Sequence, residues 1–263
     1  MKLNKLILGF VLALTLTSQT VYAQQSDADG KRLAEIRVKA EKGDAEAQCE
    51  FGFIFFNGKF GVRKDDVEAV KWFRKAAEQN SASAQHALGS CYMFGQGVEK
   101  EQQEAVKWFR KAAEQNFAWS QLNLGYCYYN GNGVAQDLAE AVKWCRKAAE
   151  QNFALAQNQM GDFYGGGVGV AQDLVEAVKW YRKAAEQNFA SAQRCVGEGY
   201  FKGIGVEKNM IEAYKWFLLA AAQGDEDAKG RVRYLEKKLK KDQIAETKKQ
   251  VAEWTQQHKK ATN

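Results

Sequence analysis

Acyl-transfer chemistry needs a serine or cysteine with a base held against it. The local spellings of that arrangement, Ser-x-x-Lys and Gly-x-Ser-x-Gly, are both absent from this chain of 263 residues. Two histidines are present, His86 and His258, and neither stands in a His-Glu-x-x-His spacing, so a catalytic zinc site is not expected. Carboxylates are plentiful, but they recur at fixed places beside Lys and Arg, which is the pattern of helix caps and solvated helix faces. The Gly-x-Gly-Val segments lack the Lys-Ser/Thr that a phosphate cradle requires and read as turns. Catalytic residues, metal and cofactor are therefore all expected to be absent. Five cysteines remain, Cys49, Cys91, Cys127, Cys145 and Cys195, an odd number that cannot pair completely within one chain. Cys91 and Cys127 occupy the same place in successive segments. Equivalent helices sit about 8–10 Å apart while a disulfide needs Cα atoms within about 7 Å, so that pair is not expected to bridge. Most of the five read as small buried hydrophobes, with one disulfide among the others left open.

These residues are positioned by a repeat. Trp72, Trp108, Trp144, Trp180 and Trp216 fall 36 residues apart, each within Glu-Ala-Val-Lys-Trp or Glu-Ala-Tyr-Lys-Trp. A unit of that length cannot bury its own apolar side and must stack on its neighbours. In the third unit, Ala118 to Asn152, Leu124, Gly125 and Tyr128 lie at helical spacing, and the small Gly125 admits close approach of a second helix. Asn130-Gly131-Asn132-Gly133 tolerates positive φ and reverses the chain. Asp137-Leu-Ala-Glu140 then reads as a capping box, the aspartate accepting from the N3 amide and the glutamate reaching back. Ala141, Trp144 and Ala148 form the stripe of helix B, which closes at Gln151-Asn152. The same spacing predicts caps at Asp65, Glu101, Asp173 and Asn209.

The two ends differ from this pattern. Lys2 and Lys5, an apolar run from Leu6 and the sequence Val21-Tyr22-Ala23 make residues 1–23 a secretory signal, cleaved near Ala23. A retained helix over Leu6–Leu16 would span only ~16 Å of about 30 Å of hydrocarbon. Gln24-Gln25 stand where a lipidated cysteine would follow cleavage. The expected location is periplasmic or secreted. Without residues 1–23 the chain has 36 basic and 32 acidic residues, a net of +4, too little for a dedicated nucleic-acid binder. From Lys229 onward there are 11 basic and 4 acidic residues, so the excess lies in the tail. Residues 24–42 read as an N-terminal capping half-repeat, 43–228 as five repeats and the start of a sixth, and 229–263 as a capping helix with a basic tail. That tail could instead touch anionic lipid or wall polymer.

The residues Ala84-Gln85, Leu88-Gly89, Tyr92, Gly95 and Gly97-Val98, followed by Trp108 and Lys111-Ala112-Ala113, carry a resemblance. The pattern resembles the Sel1-like repeat family, relatives of tetratricopeptide repeats, over roughly residues 43–228. The resemblance implies an all-α fold, a right-handed α/α superhelical solenoid of helix-turn-helix repeats, acting as an exported scaffold for protein interactions. A cysteine-rich branch of the family is linked to penicillin binding and β-lactam hydrolysis. Its repeats carry a Cys-x7-Cys pair where this sequence has Ala77 and Gln85, or Ala113 and Gln121.

If the tetratricopeptide register carries over, the concave surface takes the residues two before and one, five and eight after each repeat's glutamine. The third repeat then contributes Trp119, Leu122, Tyr126 and Tyr129, all apolar or aromatic, bordered by Leu155, Asn158 and Asp162 of the fourth and by His86 and Met93 of the second. Such a stripe is either core or an exposed patch, and as a patch it would grip an extended or helical peptide. The expected function is a monomeric scaffold binding a protein or peptide in the cell envelope or outside the cell, without nucleic acid. The alternatives are an envelope enzyme of penicillin-binding or β-lactamase type and a cell-wall polymer binder. The basic positions of helix B, such as Lys71, Arg74 and Lys75, read as a solvated convex face.

Overall fold

The computed structural model describes residues 28–260, which are all-α. The signal segment at 1–23 lies outside the described residues. A first helix, α1 (28–41), precedes five helix pairs of 13 residues per helix. They are α2 (Ala45–Asn57) with α3 (Asp66–Glu78), α4 (Ala82–Phe94) with α5 (Gln102–Glu114), α6 (Ala118–Asn130) with α7 (Leu138–Glu150), α8 (Ala154–Gly166) with α9 (Leu174–Glu186), and α10 (Ala190–Lys202) with α11 (Met210–Ala222). Two further helices close the chain, α12 (Glu226–Glu236) and α13 (Lys241–Lys260). The chain divides into two compact units after Ala112. Among the described residues no helix is long and apolar enough to cross a membrane.

Local chemistry sets each boundary. The side chains of Asp65, Asp137 and Asp173 accept from the amides of Glu68, Glu140 and Glu176 at 2.9 Å, which satisfies an orphan donor of each B helix. The reciprocal half of the expected capping box is replaced. The backbone N–H of each cap donates to a helix A carbonyl, Asp65 to Phe55, Asp137 to Tyr128 and Asp173 to Tyr164, at 3.0 Å. Glu68, Glu140 and Glu176 turn instead to Lys71, Lys143 and Lys179. A backbone bond across the hairpin does the work assigned to the glutamate and also fixes the two helices to each other. Helix A ends where Gly131 takes φ 73° and returns its N–H to Cys127. Helix B ends on Asn152 at φ 63°, a conformation that asparagine tolerates better than most residues.

Packing within a pair turns on one contact. The residue after the repeat tryptophan faces a helix A glycine: Phe73 against Gly52, Phe109 against Gly89, Cys145 against Gly125, Tyr181 against Gly161 and Phe217 against Gly197. A methyl group on Gly161 would overlap the Tyr181 ring, so the glycine is what lets the ring lie between the helices.

Adjacent pairs in each unit are joined by buried glutamines. Gln157 donates Nε2 to the Ala149 carbonyl on the preceding B helix at 3.2 Å, and its Oε1 accepts from Gln187 at the end of the next B helix at 2.7 Å. Gln193 repeats the arrangement with Ala185 and Gln223, and Gln48 does so in the first unit with Ala40 and Gln79. At the C-terminal end, Val251 and Trp254 of α13 pack on the cluster that holds Val196, Trp216 and Leu219. All five cysteines are free, so the disulfide left open by the sequence is not formed; the thiols serve as small packing groups, four of them buried.

Candidate partner-binding face

The four residues singled out on α6 divide between core and surface. Leu122 is 1 % exposed and packs with Cys145, Met160 and Phe163, so it belongs to the core and not to a surface patch. The reason is geometric: the residue after the buried Gln121 points between α6 and α8 and meets the next pair before it meets solvent. Trp119 is 51 % exposed, its ring edge-on to Phe153 at 4.7 Å, and Tyr129 is 37 % exposed beside Phe163. Tyr126 is half-buried, donates its hydroxyl to Gln159 at 3.2 Å and is pushed up to about 12 by burial. Leu155 packs partly buried on the same cluster as Leu122.

Asn158 and Asp162 lie one turn apart on α8 and meet, Asn158 Nδ2 donating to Asp162 Oδ2 at 3.3 Å. A residue not singled out by sequence completes this group. The Tyr181 hydroxyl, from helix B of the same repeat, passes beside Gly161 and donates to Asp162 Oδ1 at 2.7 Å. Its signal was available: Tyr181 is the one hydroxylated ring at a position held by Phe73, Phe109 and Phe217 elsewhere. Burial raises the Asp162 carboxyl above the usual range, against the lowering effects of the Tyr181 hydrogen bond and of Arg194. The sequence-derived His86 and Met93 lie half-buried on α4 in the first unit. Burial holds the His86 imidazole down at about 4, so it is neutral at physiological pH.

Farther along the second unit, an open groove of about 570 Å³ runs between α10 and α12. Its charges answer one another: Arg194 Nε meets Asp225 at 3.1 Å, and Glu198 takes Arg231 at 2.6 Å and Lys202 at 2.8 Å. The first unit has a groove of about 590 Å³ lined by Glu46, Cys49, Glu50, Phe53, Ser81 and Ser83. Nothing in either is arranged for nucleophilic attack. Burial raises every cysteine thiol, to about 12 for Cys91 and Cys145 and about 11 for Cys127 and Cys195. Among the described residues no group of three or more His, Cys, Asp or Glu side chains could hold a metal ion.

The basic positions of helix B are more than a solvated face. Lys75, Lys147 and Lys183 lie over the rings of Trp72, Trp144 and Trp180 at 3.9, 4.3 and 4.0 Å. Arg74 and Arg146 each donate to the tyrosine hydroxyl of the next A helix, Tyr92 and Tyr164, at 2.7 Å. They fasten one repeat to the next.

Comparison with known proteins gives this geometry a family. The Sel1 repeat matches five times, at residues 45–81, 82–117, 120–153, 154–189 and 190–225. The chain is 43 % identical to the crystal structure of c5321, described as a protective antigen of uropathogenic Escherichia coli with an SLR fold, at a TM-score of 0.73 over 76 % of this chain and 43 % of that one. A Sel1 repeat protein from Oxalobacter formigenes superposes at a TM-score of 0.73 with 34 % identity, over 78 % of this chain and 59 % of the other. The secretory immunoglobulin A-binding protein EsiB of Escherichia coli is 42 % identical over 66 residues, 25 % of this chain and 13 % of its own length. The chain thus spans less than two thirds of each.

Proposed function

We propose that this chain, which belongs to the Sel1 repeat family, is an exported scaffold that binds a protein or peptide through the exposed face of its A helices. The observation that carries the reading is the aromatic row on α6. Trp119 and Tyr129 stand in solvent on a helix whose core side is already filled by Leu122, Leu124 and Cys127. Exposed rings of this kind bring large contact area at low entropic cost and dominate the energy of many interfaces. The fold does not need them there, since both project from the closed core. One relative named for binding an immunoglobulin supports a protein as the class of partner.

Export rests on residues 1–23, with their basic start, apolar run and small-residue cleavage point. A monomeric state completes the proposal, and the tail acts as a cap, its Val251 and Trp254 packed on the last repeat, with contact to lipid or wall polymer as the alternative.

The test is affinity capture from an envelope extract by the full-length chain after export, beside a Trp119→Ala, Tyr129→Ala variant. Both substitutions are at exposed positions, so the fold is expected to persist and circular dichroism checks it. A partner retained by the wild type and lost by the variant supports the reading. Equal capture by both removes the A-helix face from consideration, and N-terminal sequencing of the fractionated protein decides export separately.

A further inference from the structure

The fourth repeat interrupts the row of large side chains on the A-helix face. The position held by Phe56, Met93, Tyr129 and Phe201 in the other repeats is Gly165, and Gly166 follows it. Neither residue has positive φ. A Cβ on Gly165 would lie in ordinary contact with the Tyr181 hydroxyl at 3.7 Å and Ala177 at 3.8 Å, so packing does not demand glycine either. Glycine inside a helix costs roughly 0.5–1 kcal/mol relative to alanine. The fold gains nothing from Gly165, and its effect is to leave a trough on α8.

The floor of that trough is polar and fixed. Asp162 is held by Tyr181 and Asn158, so its carboxylate is oriented before anything binds. Among the described residues no basic side chain lies within ion-pair distance of it, and the nearby Arg194 is already bonded to Asp225. Asn158 Oδ1 is shielded from solvent and has no hydrogen-bond partner. Two acceptor groups therefore sit side by side with bonding capacity unused. One aromatic ring stands close by: Tyr129 on α6 packs against Phe163, the neighbour of Asp162 on α8, and stays 37 % exposed, whereas Phe201 on α10 is turned to Phe217 and Tyr234 under Arg231. An oriented carboxylate near an exposed ring complements a cation on an aliphatic stem, through the ion pair, the cation–π contact and the buried methylenes together.

Resting on the binding reading above, we propose that this trough takes a lysine or arginine side chain of the partner peptide, its cation against Asp162 and its stem over Gly165. The other repeats cannot do this. Their equivalents of Gly165 are filled, and Glu198, at the register position of Asp162 on α10, is bonded to Arg231 and Lys202.

The test selects from a random 12-residue peptide display library on the immobilised full chain. Enriched sequences, made with a fluorophore, are then titrated by anisotropy against wild type, Asp162→Asn, Gly165→Phe and Gly165→Ala. The expected result is a fixed Lys or Arg in the enriched set, at least ten-fold weaker binding to Asp162→Asn and to Gly165→Phe, and near wild-type binding to Gly165→Ala. Replacing the basic residue of the peptide with norleucine is expected to cost the same factor. Phenylalanine is accommodated at this position in two other repeats, and the isosteric Asp162→Asn carries the test alone should Gly165→Phe not fold. Enriched peptides without a fixed cation, or affinities for Asp162→Asn within two-fold of wild type, overturn the proposal. If such peptides still lose affinity to Trp119→Ala, Tyr129→Ala, the binding face stands and only the basic-residue pocket fails; no enrichment at all rejects both.

Discussion

Substituting Gln157 by leucine tests whether the glutamine ladder holds the repeats together. Gln157 is 2 % exposed and makes three hydrogen bonds: to the Ala149 carbonyl and Asn152 Oδ1, both at 3.2 Å, and from Gln187 Nε2 at 2.7 Å. Leucine has nearly the same volume, so no large cavity forms and the apolar gain is about 1 kcal/mol at most. Asn152 and Gln187 are exposed and recover water, and Gln187 keeps its contact with Asn152 at 3.1 Å. Ala149 keeps a bond from the Asn152 amide but loses its second donor in a dry setting. Taking about 1 kcal/mol for each of the lost bonds to Asn152 and Gln187 and about 1–3 kcal/mol for the under-satisfied buried Ala149 carbonyl, less the apolar gain, leaves a destabilisation of about 2–4 kcal/mol. Gln187→Leu, which strips only the exposed partner, is expected to cost about 1 kcal/mol by the same rule. The two together should show a coupling of at least about 0.5 kcal/mol, because they share one bond. Urea unfolding followed by circular dichroism and by tryptophan fluorescence measures all three, with Trp180 as a probe beside the site. A cost below about 0.5 kcal/mol for Gln157→Leu would show that the ladder marks register without holding the repeats together.

Two glycines one turn apart on α8 are expected to respond with opposite sign. Gly161→Ala forces the Tyr181 ring to move and should cost about 1–3 kcal/mol, whereas Gly165→Ala meets only ordinary contacts and should stabilise by about 0.5–1 kcal/mol; thermal melts order the two against wild type. His86 links stability to pH in the first unit. Its folded pKa of about 4 lies below the ordinary 6.5, so the unfolded chain binds the proton first and stability is lost as pH falls from about 6.5 toward 4. At pH 4.5 that loss is about 2.5 kcal/mol relative to pH 7.5, and between the two pH values the urea midpoint of wild type should fall further than that of His86→Leu if the sign is right. The four buried thiols, all raised, should react with an aromatic disulfide reagent only on unfolding at pH 7.5, when all five per chain become available; rapid labelling of more than the partly buried Cys195 in the native protein would contradict their placement.

The period, the helix boundaries and the repeat class are legible in sequence because each rests on a local rule. An aspartate three residues before a glutamate, an asparagine at a helix end and a glycine in a turn act on their own backbone, so spacing is enough to read them. What depends on which neighbour a side chain reaches is not legible in that way. Leu122 and Trp119 share a helical stripe, and only the path of the next pair sends one inward and leaves the other in water. The capping glutamates show the same limit, since Lys143 and the Tyr128 carbonyl compete for the roles a capping box assigns locally. Tyr181 is visible as a departure from phenylalanine, but its bond to Asp162 needs the opening at Gly161 to be seen in three dimensions.

A repeat protein tolerates variation best where its repeats are not joined. The glutamines, the Arg–Tyr bonds and the glycine contacts recur because each fastens one helix to the next, so changes there are costly. Two departures fall on such joints, where Cys145 replaces a ring against Gly125 and Tyr181 adds a hydroxyl against Gly161, and a third, Gly165, removes a side chain from the A-helix face; Tyr181 and Gly165 both adjoin the Asp162 carboxylate. Chance substitution has no reason to place a donor, an acceptor and a vacated position within one turn of α8. The proposed site for a cationic side chain accounts for it, since the hydroxyl orients the carboxylate, the glycine opens the path to it, and the exposed Tyr129 ring lies on the neighbouring helix.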